Sequence, residues 1–456
     1  MKQISIVLTV LCISIAAFGQ QPRQTSYTNA RIIPVSGPVV EHGTILIVDG
    51  KIKAIGAHVV VPASVQRIDL HGATVIPGLV DASSSLFLTE ESLTGDGTAD
   101  QNVLDGMDPF DKAALKVLAR GVTTVYVSPG SRGGVGGLGA VVKIQDASSG
   151  SSQSGAAVLE TTLKAKAGVH LALGLSSNGK STSLDRIASY ESLRSMFIGA
   201  QQYVKQQARA EEEKKAAAKA PAQTEADAGD VQEEAVQGDN ESDADFAQRR
   251  QFGRGQRGGR PGTAAAPRSQ PAQEVLAAAL KGDVPVRIEA HRVDDILNAL
   301  RLADEFKLKL VLEAPTEAWA PGLASEIASR HVGVICTPVQ SEGAPQLETA
   351  HYSPHTVAVL GNAGVNLAIS ARSGSGVASS FLLEDAGVAA GCGLNRDAAL
   401  KAVTLGAAQL LGVADRVGSL QVGKDADLVV LSGSPWDPQT MVKRVVVNGV
   451  QVYGAP

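Results

Sequence analysis

Cysteine is scarce in this chain, with three in 456 residues: Cys12, Cys336 and Cys392. That excludes a disulfide-stapled scaffold; Cys336 and Cys392 could pair in an oxidising compartment, but in a chain this large they read rather as two isolated buried thiols. An excess of one charge is also missing, since 41 basic residues face 46 acidic ones for a net charge of −5. Nothing in that balance suggests nucleic acid or an anionic membrane as partner. Long apolar runs are lacking everywhere except the first residues, MKQISIVLTVLCISIAAFGQ, where Lys2 precedes an apolar run from Ile4 to Phe18 and the small residues Ala17 and Gly19 follow. Such a run falls short of the roughly 20 apolar residues that a spanning helix needs. It reads as a signal peptide over residues 1–19, cleaved near Gly19 or Gln20. Leu11 stands before Cys12 where a lipoprotein signal wants a small residue, so Cys12 is expected to leave with the peptide. The mature protein is expected to be exported, periplasmic or extracellular, with no membrane span.

What is present is an ordinary globular composition, 44% hydrophobic and 19% charged. The length exceeds what one core usually serves, so a large domain with a smaller companion is expected. Short apolar runs at Ile45–Val48 and Ile52–Ile55 flank Asp49-Gly50, and Asn448-Gly449 separates Val445–Val447 from Val450–Tyr453; both dipeptides suit tight hairpins. Between these ends, β-rich runs at Val75–Val80, Thr123–Val127, Val169–Leu173, Val286–Ile288, Lys309–Leu312, Val332–Ile335 and Val365–Ile369 alternate with helical patterns. Asp294–Phe306 places Ile296, Leu297, Leu300 and Ala303 on one face, and Asp397–Leu411 runs into Gly412 as a stop. Strands alternating with helices mean parallel βα units, and their number suggests a barrel. Residues 205–273, rich in Ala, Gln, Glu and Lys, then acidic at Asp239–Asp245, then Arg-Gly rich, lack the apolar residues to offset ordering and read as a disordered insertion. An RNA-binding role for the Arg-Gly part ranks below a solvated linker in an exported protein.

VIPGLVD at Val75–Asp81 and VGSLQVGKDADLVVL at Val417–Leu431 resemble motifs of the metal-dependent amidohydrolase superfamily. GVTTVYVSPGS, PVRIEAHRVDDILNALRLADEF, LVLE and AVTLGAAQLLG add to the likeness, which is greatest to the imidazolonepropionase-like branch. The resemblance implies a (β/α)₈ TIM-like barrel over 75–413 with a small β-sandwich from both termini, residues 24–74 and 414–456. It also implies hydrolysis of carbon–nitrogen bonds by water activated on zinc.

The family's ligand positions are where this chain departs. Relatives carry His-x-His after the strand-one Asp, and alternation on a strand sends both imidazoles to one face. Here those positions are Ser83 and Ser85, and a neutral hydroxyl is not a usual zinc ligand. Glu289 takes the strand-five histidine's place, Ala314 the strand-six histidine's and Arg372 the strand-eight aspartate's. His170 falls where a strand-four lysine is sometimes found, and Glu313 and His291 are expected beside the mouth. Of the replaced set, Glu289 and His170 alone retain metal-binding chemistry. Arg372 reverses a charge: about 4 Å from a divalent ion it would cost about 8 kcal/mol at an effective dielectric of about 20. It is expected to pair with Glu289 or Glu313, with no catalytic residues and no bound cofactor.

Rival signals are weaker. Gly174–Ser181 fits the P-loop pattern, which would put phosphate on backbone N–H groups with Lys180 and Ser181 beside it. Gly134-Val135-Gly136-Gly137-Leu138-Gly139 fits a dinucleotide fingerprint, but Ala140–Ile144 after it reads as a strand where the fingerprint needs a helix. His351 and His355, four apart, would make a metal pair on a helix with Glu348 or Glu342, yet Pro354 argues against that helix. A nucleophile and base from Ser83 and His291 lacks an orienting third group. The leading expectation is a catalytically impaired amidohydrolase-fold protein that binds a small molecule or partners an intact relative. The alternatives are a hydrolase with a nonstandard or metal-free site, and nucleotide binding at 174–181.

Overall fold

The structure is a computed structural model that describes residues 24–89, 97–131, 134–144, 161–174, 182–219, 270–337, 346–372 and 381–454. The proposed signal peptide, Lys180 and Ser181, Glu342 and residues 220–269 lie outside the described residues. No described helix is long and apolar enough to cross a membrane.

The chain begins with β1 (Gln24–Ile32), β2 (Val40–Val48), β3 (Lys51–Gly56), β4 (Gln66–Asp69) and β5 (Thr74–Pro77). Eight strands follow: β6 (Leu79–Ser84), β7 (Val122–Val127), β8 (Val135–Lys143), β9 (Thr162–Ala172), β10 (Val286–Glu289), β11 (Leu310–Glu313), β12 (Gly333–Cys336) and β13 (Leu367–Ile369). The chain returns through β14 (Leu428–Leu431), β15 (Val442–Val447) and β16 (Val450–Gly454) to the first sheet. That sheet runs β16-β15-β14-β5-β1-β2-β3, with β4 also on β1, so both termini build it as expected. Asp49 and Gly50 (φ 49° and 76°), and Asn448 and Gly449 (φ 50° and 73°), make its two tight turns. Positive φ at both central residues matches strand twist, which is why Asp-Gly and Asn-Gly stand there. Tyr27, Ile32, Ile45, Ile47, Val75, Leu428 and Val446 fill its core.

The second sheet, β13-β12-β11-β10-β9-β8-β7-β6, forms the barrel. Its strands pair in parallel except β8, which is antiparallel to both β7 and β9. Only residues 128–134 join β7 to β8, too short for the crossover of a dozen or more residues that a parallel partner demands. No ladder joins β13 to β6 among the described residues; Ser370 bridges that seam, its Oγ 2.7 Å from Ser83 O and 2.5 Å from Asp81 Oδ1.

Three expectations change. The run Val75–Val80 is two strands in two sheets, because Pro77 has no N–H for the ladder and Gly78 packs where any Cβ would strike Thr123. Asp397–Leu411 is two helices, Arg396–Ala402 and Leu405–Leu411, interrupted at Thr404, whose φ and ψ of −138° and −101° are non-helical and whose Oγ1 donates back to Leu400 O at 2.6 Å. Gly412 caps the second with φ 71°, as anticipated. Finally, the helix Ser183–Lys219 continues well past Lys205, where the insertion was expected to start, and the helix Pro271–Lys281 begins before Gln273. Ala, Glu, Lys and Gln are strong helix formers, so a stretch without core residues still extends a helix already anchored at its first half.

Candidate functional site

The C-terminal ends of the barrel strands bring together residues far apart in the chain. On β10, Arg287 and Glu289 are two apart and share a face. Arg287, with 1% of its surface exposed, donates through Nε to Glu313 Oε1 and through Nη2 to Ala82 O at 2.6 Å, with its guanidinium 3.4 Å over the Tyr126 ring. Ser83 Oγ donates to the other Glu313 oxygen at 3.2 Å. Beside this, Arg372 Nη2 donates to Glu289 Oε1 at 2.6 Å, and His291 Nε2 lies 3.1 Å from that oxygen while its Nδ1 lies 3.0 Å from Thr316 Oγ1. The pairing of Arg372 with Glu289 is therefore formed, as its charge reversal led us to expect.

Burial alone would push both carboxyls upward. At Glu289 the Arg372 guanidinium and the hydrogen bond from His291 outweigh it and hold the group well below the usual range. At Glu313, Arg287 and His170 do the same less strongly. The charge of Glu289 in turn raises Arg372 against the desolvation that opposes it. Arg372 and Ala314 adopt φ of 50° and 49°, the left-handed region that costs a non-glycine residue about 1–2 kcal/mol.

Ser83, Glu289, Glu313, His170, His291 and Arg372 are thus gathered at one mouth. Ser85 lies just past β6, where its carbonyl accepts from Leu88 N at 3.2 Å, and Ala314 follows β11. The available donors do not make a zinc site: two serines, an alanine and an arginine are not ligands, and both glutamates are already held by guanidinium groups. Among the described residues no three His, Cys, Asp or Glu side chains converge as a metal-binding set.

The rival motifs disperse. His351 Nδ1 meets Glu317 Oε1 at 2.7 Å, His355 Nδ1 meets Cys392 O at 3.2 Å, and Glu348 pairs with Arg186, so no metal pair forms between them. His351 and His355 lie between the helices Gln346–Thr349 and Thr356–Asn362. Gly134–Gly139 falls mostly on β8, whose strand runs on to Lys143 where the fingerprint would need a helix to open. Of the P-loop pattern only Gly174 is described, and it packs against Asp295 and Arg186.

Sequence reasoning missed Arg287, although a basic residue two positions before Glu289 in an apolar strand was the available signal. It also missed Ser370 and Asp385. Asp385 is buried on the helix Leu382–Gly391; burial, the charge of Asp81 and that of Glu384 raise its carboxyl to about 7.

A strand-built barrel with charged side chains at its C-terminal mouth, joined to a sheet made from both chain ends, defines a TIM-barrel protein with a composite β-sandwich domain. Residues 352–452 match the model of the Amidohydrolase family. An amidohydrolase from Thermotoga maritima superposes with a TM-score of 0.74 at 29% identity, covering 94% of this chain and 100% of that one. An adenine deaminase of Kosmotoga olearia is 34% identical over 134 residues, 29% of this chain and 20% of that protein's length. A prolidase complexed with N-methylphosphonate-L-proline, at 17% identity and TM-score 0.51 over 95% of this chain and 100% of its own, shares the fold. The C-terminal part of the chain thus matches the Amidohydrolase family, and the fold along nearly its whole length is similar to that of the Thermotoga maritima amidohydrolase.

Proposed function

We propose that this protein is a catalytically impaired, metal-free amidohydrolase-fold protein, exported from the cytoplasm, whose barrel mouth binds a small molecule. The observation that carries this reading is the ion pair of Arg372 with Glu289 at 2.6 Å, between two positions that relatives use for metal. A fixed guanidinium there opposes a divalent cation and occupies the one carboxylate among the replaced ligands. The mouth keeps polar groups on several strands, which suits ligand recognition at the C-terminal face of a barrel.

Elemental analysis of the purified protein, with assays on cyclic amides and dipeptides, tests the reading. The expected result is zinc far below stoichiometric and no hydrolysis. Stoichiometric zinc, removed by a chelator together with a hydrolytic activity, would overturn it. A second reading, hydrolysis by a nonstandard site, draws on the 29% identity to the Thermotoga maritima amidohydrolase over nearly the whole chain. Turnover that survives chelation would select it.

A further inference from the structure

Arg186, near the start of the helix Ser183–Lys219, is buried and donates to two carboxylates at once, Nη1 to Asp295 Oδ2 and Nη2 to Glu348 Oε1. Both acid side chains are fully buried. Their other oxygens, Asp295 Oδ1 and Glu348 Oε2, have no hydrogen-bond partner among the described residues. Gly174, at φ 77°, closes the cluster, since a Cβ there would strike both Asp295 and Arg186. Two buried carboxylates thus share one guanidinium, and the surplus negative charge calls for a proton.

The neighbouring charges do not remove that surplus. Arg292 is bonded to Asp294 at 3.2 Å, and Glu317, held by Val293 N at 2.9 Å and by His351 Nδ1 at 2.7 Å, adds a further carboxylate facing Arg292. Burial, with Asp294 and Glu348, outweighs Arg186 and Arg292 and raises Asp295 to about 7. Its contribution to the closed cluster is therefore full below the ordinary aspartate range and is lost as pH rises through about 7.

Which partner then yields follows from the elements. Asp295 stands in the first turn of the helix Val293–Phe306, anchored in the core by Ile296, Leu300 and Phe306. Glu348 stands on a helix of four residues, Gln346–Thr349, and the less anchored element opens first. From it the chain runs through Tyr352 and Ser353, which line a small pocket at the mouth with Ala314, Thr316 and Cys336. Thr356 Oγ1, donating to Thr316 O at 3.2 Å, anchors the far end.

We propose that Arg186, Asp295 and Glu348 form a proton-operated latch, which holds residues 346–356 against the barrel mouth while Asp295 carries a proton and releases them when it does not. The latch is independent of whether the mouth binds or hydrolyses its ligand.

Trp319 reports on it, because its Nε1 donates to His351 O at 2.9 Å, three residues beyond Glu348. The test uses the full chain carrying Trp436→Phe, which leaves Trp319 as the sole tryptophan, with the wild type titrated alongside. Between about pH 5.5 and pH 8.5 the Trp319 emission is expected to shift reversibly to the red and acrylamide quenching to rise, with a midpoint of about 7 and unchanged far-UV circular dichroism. Asp295→Asn, a neutral mimic of the protonated acid, should abolish the shift. Glu348→Gln, which leaves one carboxylate for one guanidinium, should abolish it too, so the idea stays testable if one variant does not fold. Asp385→Asn and His351→Gln, which remove other proton-binding groups near the segment, should keep it. No shift in the wild type, a shift that persists in both Asp295→Asn and Glu348→Gln, its loss in Asp385→Asn or His351→Gln, or loss of circular dichroism over the same range would overturn the latch.

Discussion

Arg372 Nη2 and Glu289 Oε1 lie 2.6 Å apart, joining the segment after β13 to the end of β10, and His291 Nε2 reaches the same oxygen at 3.1 Å. Glu289 is buried whereas a quarter of the Arg372 side chain is exposed, so the pair is screened on one side only. Removing the arginine leaves a buried carboxylate held by His291 alone. Arg372→Met is expected to cost about 1–3 kcal/mol in chemical denaturation at pH 7. The double change Arg372→Met with Glu289→Met should recover most of that loss.

The same pair sets a pH dependence. Glu289 is held below its ordinary range, so its contribution is present above the unfolded carboxylate pKa of about 4.3 and is lost as pH falls through the folded value. In Arg372→Met burial is no longer opposed by the guanidinium, and the carboxyl moves up. The stability gap between the two proteins should therefore narrow as pH drops from 7 to 4. A gap independent of pH would contradict the assigned role of the charge.

Asp385 should show the opposite sign. Burial and the neighbouring charges of Asp81 and Glu384 raise it to about 7, above the ordinary aspartate range. Its stability contribution is then full below that ordinary range and is lost as pH rises through about 7. Asp385→Asn should match the wild type near pH 4 and exceed it by about 2–4 kcal/mol at pH 8. Urea denaturation of both proteins across that range measures the difference.

These residues also show what a sequence can disclose. Asp49-Gly50 and Asn448-Gly449 announce their turns because local φ requirements are written in local residue types. The pairing of Arg372 with Glu289 was foreseeable once a family likeness set both at one mouth, since charges brought together must be compensated. The reversal of β8 was not, because alternation of side chains carries no strand direction. Arg287 escaped for another reason: its partners Ala82 O and Glu313 lie 205 and 26 positions away, and only the closed barrel assembles them.

Lys143 ties the barrel to the composite sheet. Its Nζ, on β8, reaches Asp425 Oδ2 at 2.8 Å, Asp427 Oδ1 at 3.1 Å and Asn448 Oδ1 at 2.5 Å, with the lysine side chain 1% exposed. Lys51 and Arg416 also hold Asp425, but Asp427 depends on Lys143 for its countercharge. Lys143→Met is expected to cost about 3–5 kcal/mol, and adding Asp427→Asn should return part of it. Thermal and urea denaturation of the three proteins checks the ordering.

Gly139 is the sharpest case of a motif residue serving packing. It lies in the pattern Gly134–Gly139, and a Cβ there would collide with the phenol of Tyr126. Tyr126 is fully buried and cannot yield easily, because Arg287 stacks on it at 3.4 Å and in turn holds Glu313. Gly139→Ala should therefore cost about 1–3 kcal/mol through overpacking. Gly37→Ala, where a Cβ meets nothing within 4 Å, should stay within about 0.5 kcal/mol of the wild type. If the glycine served only to bend the backbone, shrinking the neighbour would not help. Combining Gly139→Ala with Tyr126→Val should instead cost less than the sum of the two separate changes, and strict additivity in denaturation would show that the two sites do not share this space.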